Sequence, residues 1–220
     1  MRDSKLNNFF SEYGFEFLET IDYQIHHRAL SKFKDMYGKS TGVIFDIGAN
    51  AGSFIRAAKD VLTDIELHAF EPHPVLSDYI SNKHIEVAVN NACCGDSDGE
   101  ISINIPDTSV VISSILDRPV FKELSSQTIH KHISKCLKID TYCRLKNIKE
   151  IDYIKIDVEG YEYRVMLGME ELLKENKIKC GHFEILVQEL HPIEDIYNFL
   201  KKYNYKLDFS ISDADAFFYL

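Results

Sequence analysis

The stretch Val43-Ile44-Phe45-Asp46-Ile47-Gly48-Ala49-Asn50-Ala51-Gly52-Ser53 is a short apolar run that meets an acid and opens into a turn with two glycines. A run of strand length followed at once by glycines reads as a strand handing the chain to a helix, the layout by which an open α/β sheet presents a nucleotide. Glycine permits the tight turn and brings the backbone close to a ligand above the strand's carboxyl end. The next apolar run closes at His68-Ala69-Phe70-Glu71 and places a second acid 25 positions beyond Asp46. An acid about 20 residues past a glycine turn is where such folds reach ribose hydroxyls. Together these features predict a nucleoside-bearing cofactor.

Outward from this turn, apolar runs near 43–47, 66–70, 85–90, 152–156 and 181–186 alternate with helical patterns near 52–62, 74–82, 161–175 and 193–203. The alternation predicts an α/β fold: a mostly parallel, twisted sheet with helices on both faces. Two short runs near 205–208 and 215–219, with no helix between them, predict an antiparallel strand at the C-terminal edge. Residues 1–40 carry six acids and six bases and set Leu6, Phe9, Phe10, Tyr13, Phe17, Ile21 and Ile25 at helical spacing. This divides the chain into an N-terminal helical extension, 1–40, and a main domain, 41–220. The extension suits a lid, a homodimer contact or packing on the core. Within the main domain an irregular insertion, about 91–140, contains the strand-like Ile101-Ser102-Ile103-Asn104-Ile105 and lies where a substrate lid would be useful.

The 220 residues are 45% hydrophobic and 27% charged, the balance of a globular protein with one substantial core. A net charge of −10 and the lack of any Lys/Arg block argue against nucleic acid as a partner. No run approaches the roughly 20 apolar residues of a membrane span. The first residues lack the apolar core of a secretion signal, so a cytoplasmic location is expected. Cysteines at 93, 94, 136, 143 and 180 have neither disulfide parity nor metal-ligand spacing and are expected to be reduced, in or near the core.

A dinucleotide site would place glycine at the middle of the turn, beneath the pyrophosphate. Here Asn50 stands there, and Asp46 precedes the turn where it would repel a pyrophosphate but suit the amino group of an amino-acid-like ligand. A phosphate-loop lysine motif is absent as well. A cofactor with an adenosine and a cationic amino-acid end satisfies these constraints, and S-adenosylmethionine is such a molecule.

Three blocks, Phe45-Asp46-Ile47-Gly48-Ala49-Asn50-Ala51-Gly52, Ala69-Phe70-Glu71-Pro72-His73-Pro74 and Lys155-Ile156-Asp157-Val158-Glu159-Gly160-Tyr161-Glu162, resemble the signature blocks of the FkbM family of S-adenosylmethionine-dependent methyltransferases. Lesser matches are Asn91-Ala92, Gly99, Ser113-Ser114 and Ile139-Asp140-Thr141, so the resemblance runs from about 43 to 186. It implies a Rossmann-like class I methyltransferase fold and methyl transfer to oxygen, on sugars, lipids or polyketide-type products. Carried over by position, Asp46, Gly48, Asn50 and Gly52 would line the methionine end of the cofactor, and Glu71, with Pro72 beside it, the ribose. Asn91 and Ala92 would lie at the adenine edge, and Ser113 and Ser114 would contact the acceptor.

Asp157 and Glu159 follow an apolar strand, so they emerge at the carboxyl end of the sheet, where a methyl donor would present its sulfonium. Methyl transfer to a hydroxyl is an in-line displacement that needs a nearby group to take the hydroxyl proton, and either carboxylate suits that task. Glu162 is read as serving the helix start through the N-terminal dipole. In Gly181-His182-Phe183-Glu184-Ile185, His182 and Glu184 share one strand face, which makes His182 an alternative base and Glu184 a substrate contact. Asp157, Glu159 and Glu184 together suit Mg²⁺ or Ca²⁺, though nothing in the spacing demands a metal. His73 and His191 are read as structural, and His26, His27, His130 and His132 as surface residues. Acceptor contacts are expected from Phe121, Ser125, Ser126, Gln127, Ile129, His130 and Tyr142. The competing readings are a nicotinamide-dependent oxidoreductase on the same layout, which the missing middle glycine disfavours, and a cofactor-binding module without catalysis.

Overall fold

The computed structural model describes residues 15–106, 129–185 and 192–220. Helix α1 (Phe15–Tyr37) leads into strand β1 (Gly42–Ile47), then α2 (Ser53–Val61), β2 (Ile65–Phe70), α3 (Pro74–Lys83) and the short β3 (Ala88–Asn90). The insertion supplies β4 (Cys93–Cys94), β5 (Gly99–Pro106), β6 (Ile129–Leu137) and α4 (Ile139–Lys146). The chain then returns through β7 (Ile151–Ile156), α5 (Glu162–Leu167), α6 (Glu170–Lys174), β8 (Ile178–Glu184), α7 (Ile193–Lys202), β9 (Lys206–Asp208) and β10 (Asp215–Tyr219).

Among the described residues, seven strands form the main sheet in the order β3-β2-β1-β7-β8-β10-β9. The pairings from β3 to β8 are parallel, while β10 runs antiparallel to both β8 and β9. The expected antiparallel element is therefore β10, which threads inside β9 and leaves β9 at the edge. β1 and β7 are central and apolar on both faces, as a parallel sheet covered by helices requires. Successive side chains alternate between two cores. Phe45, Ile47, Ile154, Ile156, Phe183 and Phe218 pack with α5–α7 on one face. Ile44, Tyr153, Cys180 and Phe217 pack with Ala29, Leu30 and Phe33 of α1 and Phe54, Ile55 and Ala58 of α2 on the other. The same alternation carries Asp46, Lys155 and Glu184 to the carboxyl end of the α1–α2 face.

The helix expected over 161–175 is broken between α5 and α6. A Cβ at Gly168 would lie 2.0 Å from the carbonyl oxygen of Gly95, so only glycine fits against the root of the insertion. The Gly168 carbonyl accepts from the Asp140 N–H, and the Asp140 carboxylate accepts from the N–H groups of Glu171 and Leu172, both at 3.1 Å, at the start of α6. Asp140 thus caps a helix some thirty residues away in sequence. The insertion is more regular than its sequence suggests: β4, β6 and β5 form a second sheet in that order. All five cysteines are buried and none forms a disulfide. Among the described residues, no helix is long and apolar enough to cross a membrane.

Candidate active site

The strand order reverses between β1 and β7, and open α/β folds bind ligands in the crevice beyond the strand ends at such a point. The glycine turn lies there. Gly48 has φ of +80°, and a Cβ on it would come within 1.8 Å of the Asp157 carbonyl oxygen, so the glycine is dictated by the close approach of β7 as well as by conformation. The N–H groups of Gly48 and Ala49 both donate to the Phe70 carbonyl at 3.0 Å. Asn50, with φ of +49°, donates its N–H to Glu71 Oε2 at 2.7 Å, while Glu71 Oε1 accepts from the His73 N–H at 2.8 Å. Glu71 therefore braces the turn with both oxygens, and burial pushes its pKa up to about 7 despite these two donors. Gly52, also left-handed, is the N-cap of α2. The side-chain Oδ1 of Asn50 is buried without a hydrogen-bond partner among the described residues, an acceptor position that a donor group of a ligand would complete.

The other expected cofactor contacts flank this turn. Asn91 donates to the carbonyls of Glu71 at 3.0 Å and Pro72 at 3.1 Å, which ties the end of β3 to the end of β2. Ala92 is buried next to it. His73 caps α3, where its ring nitrogen accepts from the Leu76 N–H, and Pro74 occupies the first turn.

Asp46, expected at the methionine end, lies beneath the turn. It is fully buried, 0% exposed, and its partner is Lys155, whose Nζ lies 3.3 Å from Oδ1. Neither carboxylate oxygen makes an aligned hydrogen bond among the described residues, and burial raises the Asp46 pKa against the pull of Lys155. Asp46 thus underlies the turn, with Lys155 as its charged neighbour. Lys155, 2% exposed, also donates to the Gly48 carbonyl at 2.5 Å and lies 3.3 Å from Asp157 Oδ2. Burial works against its charge, but the carboxylates of Asp157 and Asp46 outweigh it and hold its pKa above the ordinary lysine value. Lys155 stands in the third block with no role assigned to it from sequence. The signal was present: a lysine in the apolar run Ile151-Asp152-Tyr153-Ile154-Lys155-Ile156 is buried if the strand is central, and a buried charge needs partners.

Asp157, Glu159 and Glu184 converge beyond the ends of β7 and β8, each offering an oxygen within 4.8 Å of the others. Glu159 adopts φ of +58°, uncommon for a residue with a side chain, and is held there by Glu162, whose Oε1 accepts from the N–H groups of Val158 at 3.0 Å and Gly160 at 3.1 Å. Glu162 braces this loop from the start of α5, and burial raises its pKa to about 7. Glu184 is raised to about 10 by burial and by the charges of Asp157 and Glu159, and its buried Oε2 has no hydrogen-bond partner among the described residues. Burial and the neighbouring carboxylates thus favour the protonated form of Glu184.

His182 is placed beneath this cluster. Its ring is 1% exposed, with Nδ1 2.8 Å from the Tyr153 hydroxyl and Nε2 3.0 Å from Nδ1 of His26 on α1. Burial lowers its pKa to about 3 and lowers that of His26 as well, so both rings are neutral core groups with their hydrogen bonds spoken for. His26, read as a surface residue, is buried. Tyr142 is likewise withdrawn from any acceptor: it packs on Phe70 with ring centroids 4.8 Å apart and bonds to His68 and Asn90. Ser113, Ser114, Phe121, Ser125, Ser126, Gln127 and His191 lie outside the described residues.

The sequence profile of the methyltransferase FkbM domain family matches residues 46–207, most of the chain and all three blocks of the site. The chain belongs to this family. That match removes the nicotinamide reading of the FkbM turn. A curated relative, methyltransferase sdnD of Sordaria araneosa, is 25% identical over 163 residues, covering 60% of this FkbM chain and 62% of the relative. The chain thus spans less than two thirds of that relative's length. Among solved structures, an S-adenosylmethionine-dependent methyltransferase from Clostridium acetobutylicum ATCC 824 matches with a TM-score of 0.53 at 11% identity, covering 98% of each chain. The plantazolicin methyltransferase BpumL, solved with a monoazolic desmethylPZN analog and SAH, matches with a TM-score of 0.55 at 11% identity over 99% of this chain and 90% of that one. At such identities the likeness extends to the fold, a Rossmann-like methyltransferase sheet.

Proposed function

We propose that this FkbM chain transfers the methyl group of S-adenosylmethionine to a hydroxyl of a carbohydrate, lipid or other small-metabolite acceptor. The observation that carries the reading is the convergence of a braced glycine turn and a three-carboxylate cluster at one crevice. The residues present fit the donor: Asn50 Oδ1 is a buried polar atom awaiting a partner, and the turn is free of side chains at Gly48 and Gly52. Bound there, S-adenosylmethionine supplies an electrophilic methyl group. The turn from Gly48 to Gly52 holds the methionine end, Glu71 retains acceptor capacity for the ribose hydroxyls, and Asn91 and Ala92 border the adenine.

On the acceptor side, Asp157 takes the hydroxyl proton as the new bond forms, since one of its oxygens is anchored on Lys155 while it also offers an oxygen to the cluster. Glu184, protonated, donates a hydrogen bond that orients the acceptor oxygen. Glu159 faces the same space and adds negative charge that favours the approach of a sulfonium. A divalent cation would fit the same three oxygens, and loss of transfer on adding EDTA, restored by Mg²⁺, would add it to the site. The reading is tested by calorimetric titration with S-adenosylmethionine and SAH, its demethylated product. Binding of neither ligand sinks it. Extracts supplied with enzyme and isotopically labelled donor, searched by mass spectrometry for a methyl gain, then identify the acceptor and test whether oxygen receives the group.

A further inference from the structure

We infer that Lys155 is a positioning residue whose buried ammonium fixes the Gly48 carbonyl of the donor turn and the Asp157 carboxylate in one arrangement. The inference rests on the methyl-transfer reading and assigns within it a residue that links donor binding to proton acceptance.

Strand β7 carries two charges at opposite ends. Asp152, at the amino end, accepts from Lys39 at 2.7 Å and from the Val43 N–H at 2.8 Å, and pairs with Lys179, contacts that knit the base of the sheet. Lys155 is the opposite case. It stands across from Asp46 in the β1–β7 register, and its side chain extends toward the carboxyl end where the strands give way to the site. An ammonium has three hydrogens. The Gly48 carbonyl at 2.5 Å accepts a hydrogen bond, and the carboxylates of Asp46 and Asp157, each 3.3 Å away, flank the ammonium as ion pairs, so Lys155 acts through these partners.

A counter-ion for Asp46 would need neither of the other two contacts. Around the turn, the N–H groups of Gly48 and Ala49 are held by Phe70 and that of Asn50 by Glu71. The Gly48 carbonyl is the polar group on the opposite side of that peptide, and Lys155 is what it faces. Asp157 is tied at both ends: its N–H donates to the Ile47 carbonyl at 3.0 Å, and its carboxylate rests on Lys155. Turn and base are thus registered to each other through one side chain that is shielded from water, where charge-assisted bonds are strongest.

The test titrates SAH into the wild-type protein, a Lys155→Met/Asp46→Asn double variant and Lys155→Arg, each first shown to melt cooperatively. The double variant removes both buried charges at nearly constant volume, so it separates the fold's need for an ion pair from the turn's need for a donor. We expect it to keep a melting transition near that of the wild type yet bind SAH about tenfold or more weakly, the scale of a lost charge-assisted hydrogen bond. Lys155→Arg keeps the charge but spreads its donors over a planar fork, and is expected to lose about fivefold or more. Wild-type affinity in the folded double variant overturns the inference and leaves Lys155 as the counter-ion of Asp46 alone. If that variant does not fold, wild-type affinity in Lys155→Arg overturns it equally. No binding by the wild-type protein overturns the methyl-transfer reading and this inference with it, whereas unchanged binding by the variants overturns the inference alone.

Discussion

Lys155 and Asp46 face each other across the β1–β7 pairing, ammonium 3.3 Å from carboxylate, at the point where the strand order of the sheet reverses. Two opposite charges in the middle of a parallel sheet are costly to bury and make sense where their geometry is needed. Here they lie directly under the turn proposed to meet the donor, and the neighbouring residues yield specific expectations.

Glu71→Ala should weaken both S-adenosylmethionine and SAH sharply, because it removes the acceptor of the Asn50 and His73 N–H groups as well as the ribose contact. Leaving two backbone donors unpaired should also lower stability by about 1–3 kcal/mol. Calorimetry and thermal melting read the two effects separately, and an unaltered SAH affinity would remove Glu71 from the cofactor site.

The protonation of Glu71 should be visible in stability. Its folded pKa of about 7 lies above the ordinary 4.5, so its contribution is complete below about pH 4.5 and is lost as pH rises through about 7. Glu71→Gln removes that dependence, so the stability difference between wild type and variant should shift toward the wild type as pH falls from 8 to about 4.5. Melting curves across that range check the sign. A difference that moves the other way contradicts the buried, partly protonated carboxyl.

Gly48→Ala should disable the turn. The added Cβ meets the Asp157 carbonyl at 1.8 Å and is placed at a φ of +80°, so β1 and β7 must separate at their carboxyl ends. We expect a stability loss of at least about 2 kcal/mol and no measurable SAH binding. A stable variant that binds SAH would contradict the close packing of the two strand ends.

His182→Phe separates core from catalysis. It leaves the Tyr153 hydroxyl and the His26 ring without their shared partner and should cost about 1–3 kcal/mol, with SAH affinity within about twofold of wild type. The His182 pKa is depressed to about 3 from the ordinary 6.5, so its stabilising share is present above about 6.5 and is lost as pH falls toward 3. The variant should therefore lose less stability than the wild type on acidification over that window. Selective loss of transfer in a variant of unchanged stability would return His182 to the chemistry.

Asp157→Asn and Glu184→Gln should part company. The first removes the proposed base and should lower the rate of methyl gain in labelled extracts by about 10²-fold or more, the usual scale of general base catalysis. The second replaces a carboxyl whose protonated form is favoured by burial with a neutral amide of the same shape, and should retain activity within about tenfold of wild type. The reverse ranking would make Glu184 the base.

The strand, turn and helix over 43–62 were legible because their causes are local: apolar alternation, two glycines and the acid that follows the next strand. The same holds for the spacing from Asp46 to Glu71 and for the acids at the end of β7. What escaped depends on distant partners. The break at Gly168 is imposed by the Gly95 carbonyl and the Asp140 cap, neither of which leaves a mark in the 161–175 pattern. β6 was missed because its buried side includes Ser134 and Cys136 while Ile133 faces outward, 60% exposed, an inversion of the usual signal. The burial of His26 and His182 depends on α1 crossing the sheet, which sequence periodicity cannot place.

Asp140 and Gly168 join the root of the insertion to the helix that follows β7, so the β5–β6 hairpin rises from a foot anchored in the main domain. The bonds at that foot are made by Asp140 and Gly168 and involve neither Glu71 nor Lys155. Two separate carboxylates therefore hold the two parts of the chain, Asp140 the root of the insertion and Glu71 the glycine turn.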